Sequence, residues 1–140
     1  MKKINQPRIG EIYLVEFKGV KNEQQGIRPA LIFQNNKGNQ YSPNIIVLPL
    51  TTSLKKTNLP THIPIKSGEC GLKKDSMVLC ENPICVSKER LLKYIGVAEP
   101  SLMSEIATAN LLATSAISFI DFGLLRSIWE KAISLNIVAA

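Results

Sequence analysis

Short apolar runs, separated by clusters of glycine, proline, asparagine and lysine, occupy residues 10–94. In the first run, Tyr13, Val15 and Phe17 fall on one face of a strand and Glu16 falls on the other. Two later runs, residues 28–34 and 44–50, are almost continuously apolar and predict buried strands at the centre of a sheet. The pattern indicates a compact barrel or a coiled sheet.

Four shorter segments complete the predicted sheet region. Residues 61–65 alternate around Pro64, and a proline there indicates an edge strand with one face in solvent. Residues 76–80 predict a further buried strand, and residues 94–97 predict a last one. Between those two strands, residues 87–92 predict a single helical turn, because the Ser87 side chain can cap its free backbone N–H groups.

The pattern becomes helical at Pro100, a residue type suited to the first position of a helix. Leu102, Ile106 and Leu111 fall near one face and predict a helix packed on the sheet. Gly123 interrupts this pattern. A second amphipathic helix is expected after it, because apolar residues recur at helical spacing: Leu125, Ile128, Trp129, Ala132 and Ile133.

Composition then limits the class of protein. At 140 residues and 45% hydrophobic content, the chain has the size and apolar content of one compact domain. Its net charge of +6 suits a polyanionic partner such as nucleic acid, but it also fits a basic protein with scattered lysines. No apolar signal segment follows Lys2 and Lys3, and no stretch is long enough to span a membrane, so we expect a cytoplasmic protein.

Several catalytic chemistries lack their residues in this sequence. The three cysteines are irregularly spaced and His62 is the only histidine, so no zinc pattern is present. With two aspartates, Asp75 and Asp121, a metal-dependent nuclease site is hard to assemble. We expect no metal or other cofactor, a structural role for His62, and a packing role for Cys80. Any hydrolytic chemistry must rely on arginines, hydroxyls or isolated glutamates.

Two candidate residues lie where apolar strands begin and end. Pro29 favours an extended backbone at Arg28, and Gly26 permits an unusual turn before it, so the guanidinium is held at the mouth of a strand. There it could bind a phosphate through two hydrogen bonds or merely pair with a carboxylate such as Glu23. Thr51 follows a buried strand and could bind a phosphate or ribose oxygen, or simply satisfy loose backbone groups.

The order and spacing of several motifs resemble the MazF/PemK (Kid) toxin family. They span residues 8–122, and the most specific is Gly-x-Arg-Pro at residues 26–29. The others lie at residues 10–13, 30–32, 34–35, 50–51, 59–62 and 75–79. The resemblance implies a mainly β (α+β) fold: a small, twisted antiparallel β-barrel or sheet of the CcdB/PemK type, with a short helix and C-terminal helices. It implies a toxin domain over residues 1–122, and we expect residues 123–140 to form a helical extension packed on that domain.

The resemblance also implies an activity. Family members form homodimers whose interface groove binds single-stranded RNA, and they cut mRNA at specific sequences without metal. The ribose 2′-hydroxyl attacks the adjacent phosphate and leaves 2′,3′-cyclic phosphate and 5′-hydroxyl ends. The family's catalytic arginine falls on Arg28 and its catalytic threonine on Thr51. A MazE-like cognate antitoxin is implied, with an acidic C-terminal tail that would cover the basic groove.

RNA recognition is expected in the polar loop over residues 18–26, just past the strand that ends near Thr51, and at residues 81–82. The predicted RNA-binding residues are Lys18, Lys21, Glu23, Gln24, Gln25, Ser53, Glu81 and Asn82. Glu23 is also the candidate general base. Some relatives carry glutamine at the position of Asn82, a departure that concerns the preferred base. Lys55 and Lys56 would add nonspecific attraction to the RNA backbone.

Two other functions stay open on the sequence. A gyrase-binding toxin of the CcdB type would share the fold but act on a protein without catalysis. A catalytically inactive relative would keep Arg28 and Thr51 and bind RNA without cutting it. The Gly-x-Arg-Pro motif and Thr51 favour the ribonuclease over the gyrase-binding toxin.

Overall fold

The computed structural model describes residues 6–54 and 59–138, which contain seven strands and three helices. The strands are β1 (Glu11–Lys18), β2 (Gln25–Ile32), β3 (Asn44–Thr51), β4 (His62–Ile65), β5 (Ser76–Leu79), β6 (Ile84–Ser87) and β7 (Leu91–Val97). The helices are α1 (Asn36–Tyr41), α2 (Pro100–Ala113) and α3 (Phe122–Ser134), with 3₁₀ turns at Lys88–Arg90 and Ala116–Phe119. The predicted mainly β fold with C-terminal helices is confirmed.

The strands form one antiparallel sheet in the order β4-β5-β3-β2-β1-β7, and β6 pairs with β3 beside this path. Strand β3 is the central strand of the sheet and pairs with three others. One of its edges pairs with β2, while the opposite edge pairs first with β6 and then, at Leu50 and Thr51, with β5. The two central strands and the edge position of β4 agree with the sequence prediction.

The two faces of the sheet bury two separate apolar clusters. On one face, Ile106 of α2 packs with a cluster that includes Leu48 and Val78. On the other, Val15 and Phe17 belong to a second cluster with residues of β2, β3, β6 and β7. Because β2 and β3 contribute side chains to both clusters, their sequences read as continuous apolar runs rather than as an alternation.

The C-terminal helices differ in how they meet the sheet. Helix α2 is tied to it by a hydrogen bond from Asn110 Nδ2 to the Cys80 carbonyl oxygen at 3.0 Å. Helix α3 buries none of its residues, and Lys37 Nζ donates to the carbonyl oxygen of Leu135, just past its end, at 3.1 Å. The division into a domain over residues 1–122 and a packed extension over 123–140 stays a prediction. None of the described helices has the length and apolar character needed to cross a membrane.

The structure corrects several local predictions. Helix α3 begins at Phe122, because Asp121 caps it and Gly123 is accommodated in its first turn instead of interrupting it. The loop expected over residues 18–26 is shorter, since β1 ends at Lys18 and β2 begins at Gln25. Helix α1 and strand β6 were not expected, because α1 is short and polar and the last residue of β6, Ser87, was assigned to the helical turn predicted over residues 87–92.

Candidate active site

The register of β2 and β3 brings Arg28 and Thr51 together. Ala30 pairs with Pro49, and extending this register by two positions places Arg28 opposite Thr51. Residues opposite each other in an antiparallel pair lie on the same face of the sheet. The pairing of β2 with β3 stops before them, where Pro29 has no backbone N–H to donate. Arg28 and Thr51 therefore follow the last β2–β3 pair on the same side of the two strands, at a point where these strands are no longer paired to each other.

Arg28 and Thr51 line one open depression of about 370 Å³. Its lining comprises Gln25, Gly26, Ile27, Arg28, Pro29, Leu50, Thr51, Thr52 and Ser76. Arg28 is exposed, and its Nε donates to the Gln25 carbonyl oxygen at 3.0 Å. No ion pair between Arg28 and Glu23 is formed in the described residues. The guanidinium is thus oriented by the backbone and keeps its terminal nitrogens for a ligand.

The backbone on either side of the site helps to hold Arg28 and Thr51 in place. Gly26 has a φ of +78°, which glycine adopts without strain, so the turn predicted before Arg28 is present. Thr51 Oγ1 accepts a hydrogen bond from the Ser53 N–H at 3.1 Å. Because this bond uses the hydroxyl oxygen as an acceptor, the Thr51 O–H group remains able to donate to a bound oxygen.

A second, larger groove of about 650 Å³ lies between the β1–β2 hairpin, residues 81–87 and Arg90. Its lining includes five of the predicted RNA-binding residues: Lys18, Glu23, Gln24, Glu81 and Asn82. Gln25 lines the first depression, whereas Lys21 and Ser53 line neither. The structure therefore divides the predicted residues between two neighbouring depressions. Lys55 and Lys56 lie outside the described residues.

Glu81 is engaged with the single histidine of the chain. His62 is buried, and its Nε2 lies 2.7 Å from Oε1 of Glu81. This contact links β4 to the segment that follows β5. It gives His62 a structural role at the rim of the groove, and RNA binding by Glu81 stays a prediction.

The buried cysteine next to Glu81 is unsuited to nucleophilic chemistry. Burial raises the pKa of the Cys80 thiol to about 12, and the neighbouring Glu81 carboxylate adds to this effect. The thiol is therefore protonated near neutral pH, in line with its packing in the core. Among residues 6–54 and 59–138, no group of three or more histidine, cysteine or acidic side chains is arranged to hold a metal ion.

Ser76 and Arg90 line these depressions and were not singled out by the sequence analysis. Ser76 is buried, donates from Oγ to the Lys74 carbonyl oxygen at 3.0 Å, and lines the depression that holds Arg28. Arg90 closes the 3₁₀ turn and lines the larger groove. No local sequence signal marks either residue, because the pairing of β5 with β3 and of β7 with β1 carries them there.

Comparisons with known proteins give the fold a family. The model of the PemK-like, MazF-like toxins of type II toxin-antitoxin systems matches residues 8–112. The Endoribonuclease MazF of Staphylococcus epidermidis is 38% identical over 103 residues, which are 73% of this chain and 86% of that protein. A second Endoribonuclease MazF, from Staphylococcus saprophyticus, matches to the same extent, at 38% identity over 73% of this chain and 86% of its own length.

Solved structures agree with this assignment. An endoribonuclease from a mycobacterial species, solved in complex with its cognate antitoxin, is 26% identical with a TM-score of 0.62, covering 80% of this chain and 96% of its own. MazF from Deinococcus radiodurans shares the fold at 18% identity and a TM-score of 0.69, covering 79% of this chain and 98% of its own. With a family model matched over most of its length, the chain belongs to the PemK-like, MazF-like toxins of type II toxin-antitoxin systems.

Proposed function

We propose that this chain is a toxin that acts as a metal-independent, sequence-specific endoribonuclease on single-stranded RNA, including mRNA, with Arg28 and Thr51 as its catalytic residues. The observation that carries the proposal is the shared depression, in which an exposed guanidinium and a threonine hydroxyl lie on one face of the sheet. Membership of the toxin family and the naming of two staphylococcal relatives as endoribonucleases support it.

The chemistry follows from what these two side chains can do. The ribose 2′-hydroxyl attacks the adjacent phosphorus, the bond to the 5′-oxygen breaks, and 2′,3′-cyclic phosphate and 5′-hydroxyl ends result. The Arg28 guanidinium stabilises the charge that develops on the phosphate oxygens, and Thr51 donates a hydrogen bond to the reacting phosphate or 2′-hydroxyl. Because the nucleophile already belongs to the substrate, the reaction depends on positioning and charge stabilisation.

Glu23 is the proposed general base that removes the 2′-hydroxyl proton. It lies in the β1–β2 hairpin, lines the groove beside the depression, and its Oε2 accepts from the Val20 N–H at 3.4 Å. A positioned general base typically contributes about 100- to 10,000-fold to a rate. Replacing Glu23 with glutamine should lower the rate by an amount in this range, and an unchanged rate would exclude this role.

We also propose a cytoplasmic location and three partners, namely RNA, a second copy of this chain and an antitoxin. Lys18, Lys21, Gln24, Gln25, Ser53, Glu81 and Asn82 would contact the RNA bases and backbone. A homodimer would complete the RNA groove, which light scattering of the purified protein can check. The mycobacterial endoribonuclease was solved with its cognate antitoxin, which supports an antitoxin partner here. If an acidic peptide from the neighbouring reading frame fails to displace RNA, the acidic-tail mode of inhibition is wrong.

The test is an RNA digestion in EDTA with every new end mapped. The intact protein should cut a long single-stranded RNA at discrete sequences and leave cyclic phosphate and 5′-hydroxyl ends. Arg28→Ala and Thr51→Ala should each lower the rate about 100- to 1,000-fold, the usual cost of removing one donor to a developing oxyanion. Arg126→Ala on α3 and Thr108→Ala on α2 are matched controls, since both side chains are exposed and line neither depression.

Each result of this digestion has a defined meaning. Cutting that disappears in the two site variants and persists in the two controls supports the proposed site. Cutting that survives Arg28→Ala at full rate rejects the site. No cutting by intact, folded protein rejects the ribonuclease and turns attention to gyrase binding or passive RNA binding.

A further inference from the structure

Arg90 carries a guanidinium that no other described group satisfies. The residue is partly buried, and its Nη1 is covered yet has no hydrogen-bond acceptor among the described residues. Arg90 takes part in none of the ion pairs formed within residues 6–54 and 59–138. A covered charged donor without an acceptor is unfavourable in the folded protein, so an anion that supplies acceptors would relieve the cost.

The two glutamates that line the groove, Glu23 and Glu81, already have other hydrogen-bond partners. Glu81 contacts His62 Nε2 at 2.7 Å, and Glu23 accepts from the Val20 N–H at 3.4 Å. The groove is open and has a volume of about 650 Å³, enough for part of a nucleotide chain, and Arg90 lines it. An anionic group that enters the groove therefore meets a guanidinium with unclaimed donors.

The groove opens on the same face of the sheet as the candidate active site. Val15 pairs with Arg28 of β2 on one side and with Leu91 of β7 on the other. Two strand spacings of about 4.8 Å place the Cα atoms of Arg28 and Leu91 roughly 10 Å apart. Arg90 directly precedes Leu91, so the two arginines lie within the reach of a short stretch of single-stranded RNA.

We propose that Arg90 binds a phosphate of the RNA strand, close along the chain to the phosphate held by Arg28. This inference rests on the proposed endoribonuclease function and extends its binding site. A guanidinium can form two parallel hydrogen bonds with a phosphate, which a lysine cannot reproduce. Nη1 is covered in the free protein, so two-point binding of a phosphate requires a change of rotamer at Arg90.

The test measures binding without cleavage. A single-stranded RNA of mixed sequence with 2′-O-methyl groups cannot undergo the proposed attack, and its affinity can be followed between about 50 and 200 mM salt. Arg90→Gln should weaken binding about 10- to 100-fold, the usual range for a lost charged hydrogen bond. The slope of log affinity against log salt should also fall in magnitude by about 0.7, as expected for one phosphate contact on a single strand. Arg90→Lys should keep the slope and lose part of the affinity.

Arg126→Gln supplies the matched control, because it makes the same charge change at an exposed residue that pairs with Glu130 on α3. It should leave the slope unchanged. The melting temperature of Arg90→Gln should not fall, since the substitution removes an unpaired covered charge, whereas an arginine with a purely structural role would lower it.

The outcomes separate this inference from the proposed function. A folded Arg90→Gln protein with the wild-type slope overturns the phosphate contact, and so does an equal change in slope for Arg126→Gln. If the wild-type protein binds RNA but never cuts it, the proposed ribonuclease function is wrong, and the comparison of salt slopes still decides the role of Arg90. A wild-type protein that binds no RNA overturns both.

Discussion

The central sheet and helix α3 place similar apolar residues in opposite surroundings. Leu48 of β3 is fully buried, whereas Ile128 and Trp129 of α3 are 56% and 49% exposed. The family match covers residues 8–112 and ends before α3 begins. Both segments have an apolar pattern that predicts the correct secondary structure, so the pattern alone does not determine burial. Burial depends on what the rest of the chain places against each face.

The contacts of the two regions explain this difference. Strand β3 has hydrogen-bonded neighbours along both edges and apolar clusters on both faces. Helix α3 has its Asp121 cap, the exposed pair Arg126–Glu130 at 3.6 Å, and the bond from Lys37 to Leu135 just past its end. We therefore expect the stability of the sheet to depend little on α3.

The largest expected difference between the sheet and α3 is in the stability lost when an apolar side chain is shortened to alanine. Leu48→Ala shortens a buried side chain of β3 in the cluster that also contains Ile106 of α2, and it should lower the free energy of unfolding by about 2–5 kcal/mol. Ile128→Ala removes a similar volume from an exposed site and should change it by about 0.5 kcal/mol or less. Urea unfolding followed by far-UV circular dichroism checks both. An Ile128→Ala cost above about 1 kcal/mol would mean that α3 is packed against another surface.

A smaller effect on stability is expected at alkaline pH. It comes from Cys80, which is buried in one of the apolar clusters of the sheet. The folded state raises the pKa of Cys80 from 9.0 to about 12, chiefly by burial. The unfolded chain therefore ionises first, so the contribution of Cys80 is complete below about pH 9 and is lost as the pH rises towards about 12, by roughly 1.4 kcal/mol per pH unit.

Cys80→Val tests this dependence and keeps most of the packing volume. Between about pH 8 and pH 10, the wild type should lose about 1.4 kcal/mol more stability than the variant, measured by urea unfolding with a reducing agent present. Cys80→Ala serves as a second variant with a larger packing cost and the same expected pH dependence. Equal losses in wild type and variants would show that the thiol is not protected from ionisation.

Much of the sheet could be predicted from the sequence, for a physical reason. Residues 30–32 of β2 and 47–50 of β3 are buried on both faces, so their apolar runs are unbroken, and Pro64 correctly marks β4 as an edge strand. Helix α1 could not be predicted, since the side chains that stabilise it are polar. The Asn35 side chain accepts from the Gly38 N–H, and buried Asn39 donates to the Gln34 carbonyl oxygen.

The candidate site, like the fold, could be predicted from the sequence only in part. Arg28 could be singled out because its motif is local, with a glycine and a proline that shape the backbone on either side. Thr51 is a candidate because it ends a buried strand. For both residues the local features leave a structural role open, and the resemblance to the MazF/PemK toxins is what favours a catalytic role. Their approach depends on the β2–β3 register, and the positions of Ser76 and Arg90 depend on pairings with other strands. Such long-range pairings leave no local pattern in the sequence.

The smallest expected effect concerns the two helix caps, one in each region. Asp121 Oδ1 accepts from the Leu124 N–H at 3.0 Å at the start of α3, and Ser87 Oγ accepts from the Glu89 N–H at 3.3 Å beside β7. Removing such a cap by substitution with alanine usually costs about 1 kcal/mol. Because α3 is weakly joined to the sheet, Asp121→Ala should loosen α3 without moving the main unfolding transition. Ser87→Ala should shift that transition.

Two probes can distinguish these regions. Trp129, the only tryptophan, lies in α3, so its fluorescence reports that helix, while hydrogen exchange of β2 and β3 reports the sheet. Asp121→Ala should raise the exchange rate of the amides in α3 roughly 5-fold, the equivalent of about 1 kcal/mol, and leave those of β3 unchanged. If the β3 amides exchange faster by the same factor, α3 and the sheet unfold as one cooperative unit, and the contrast between the two regions lies only in their exposure.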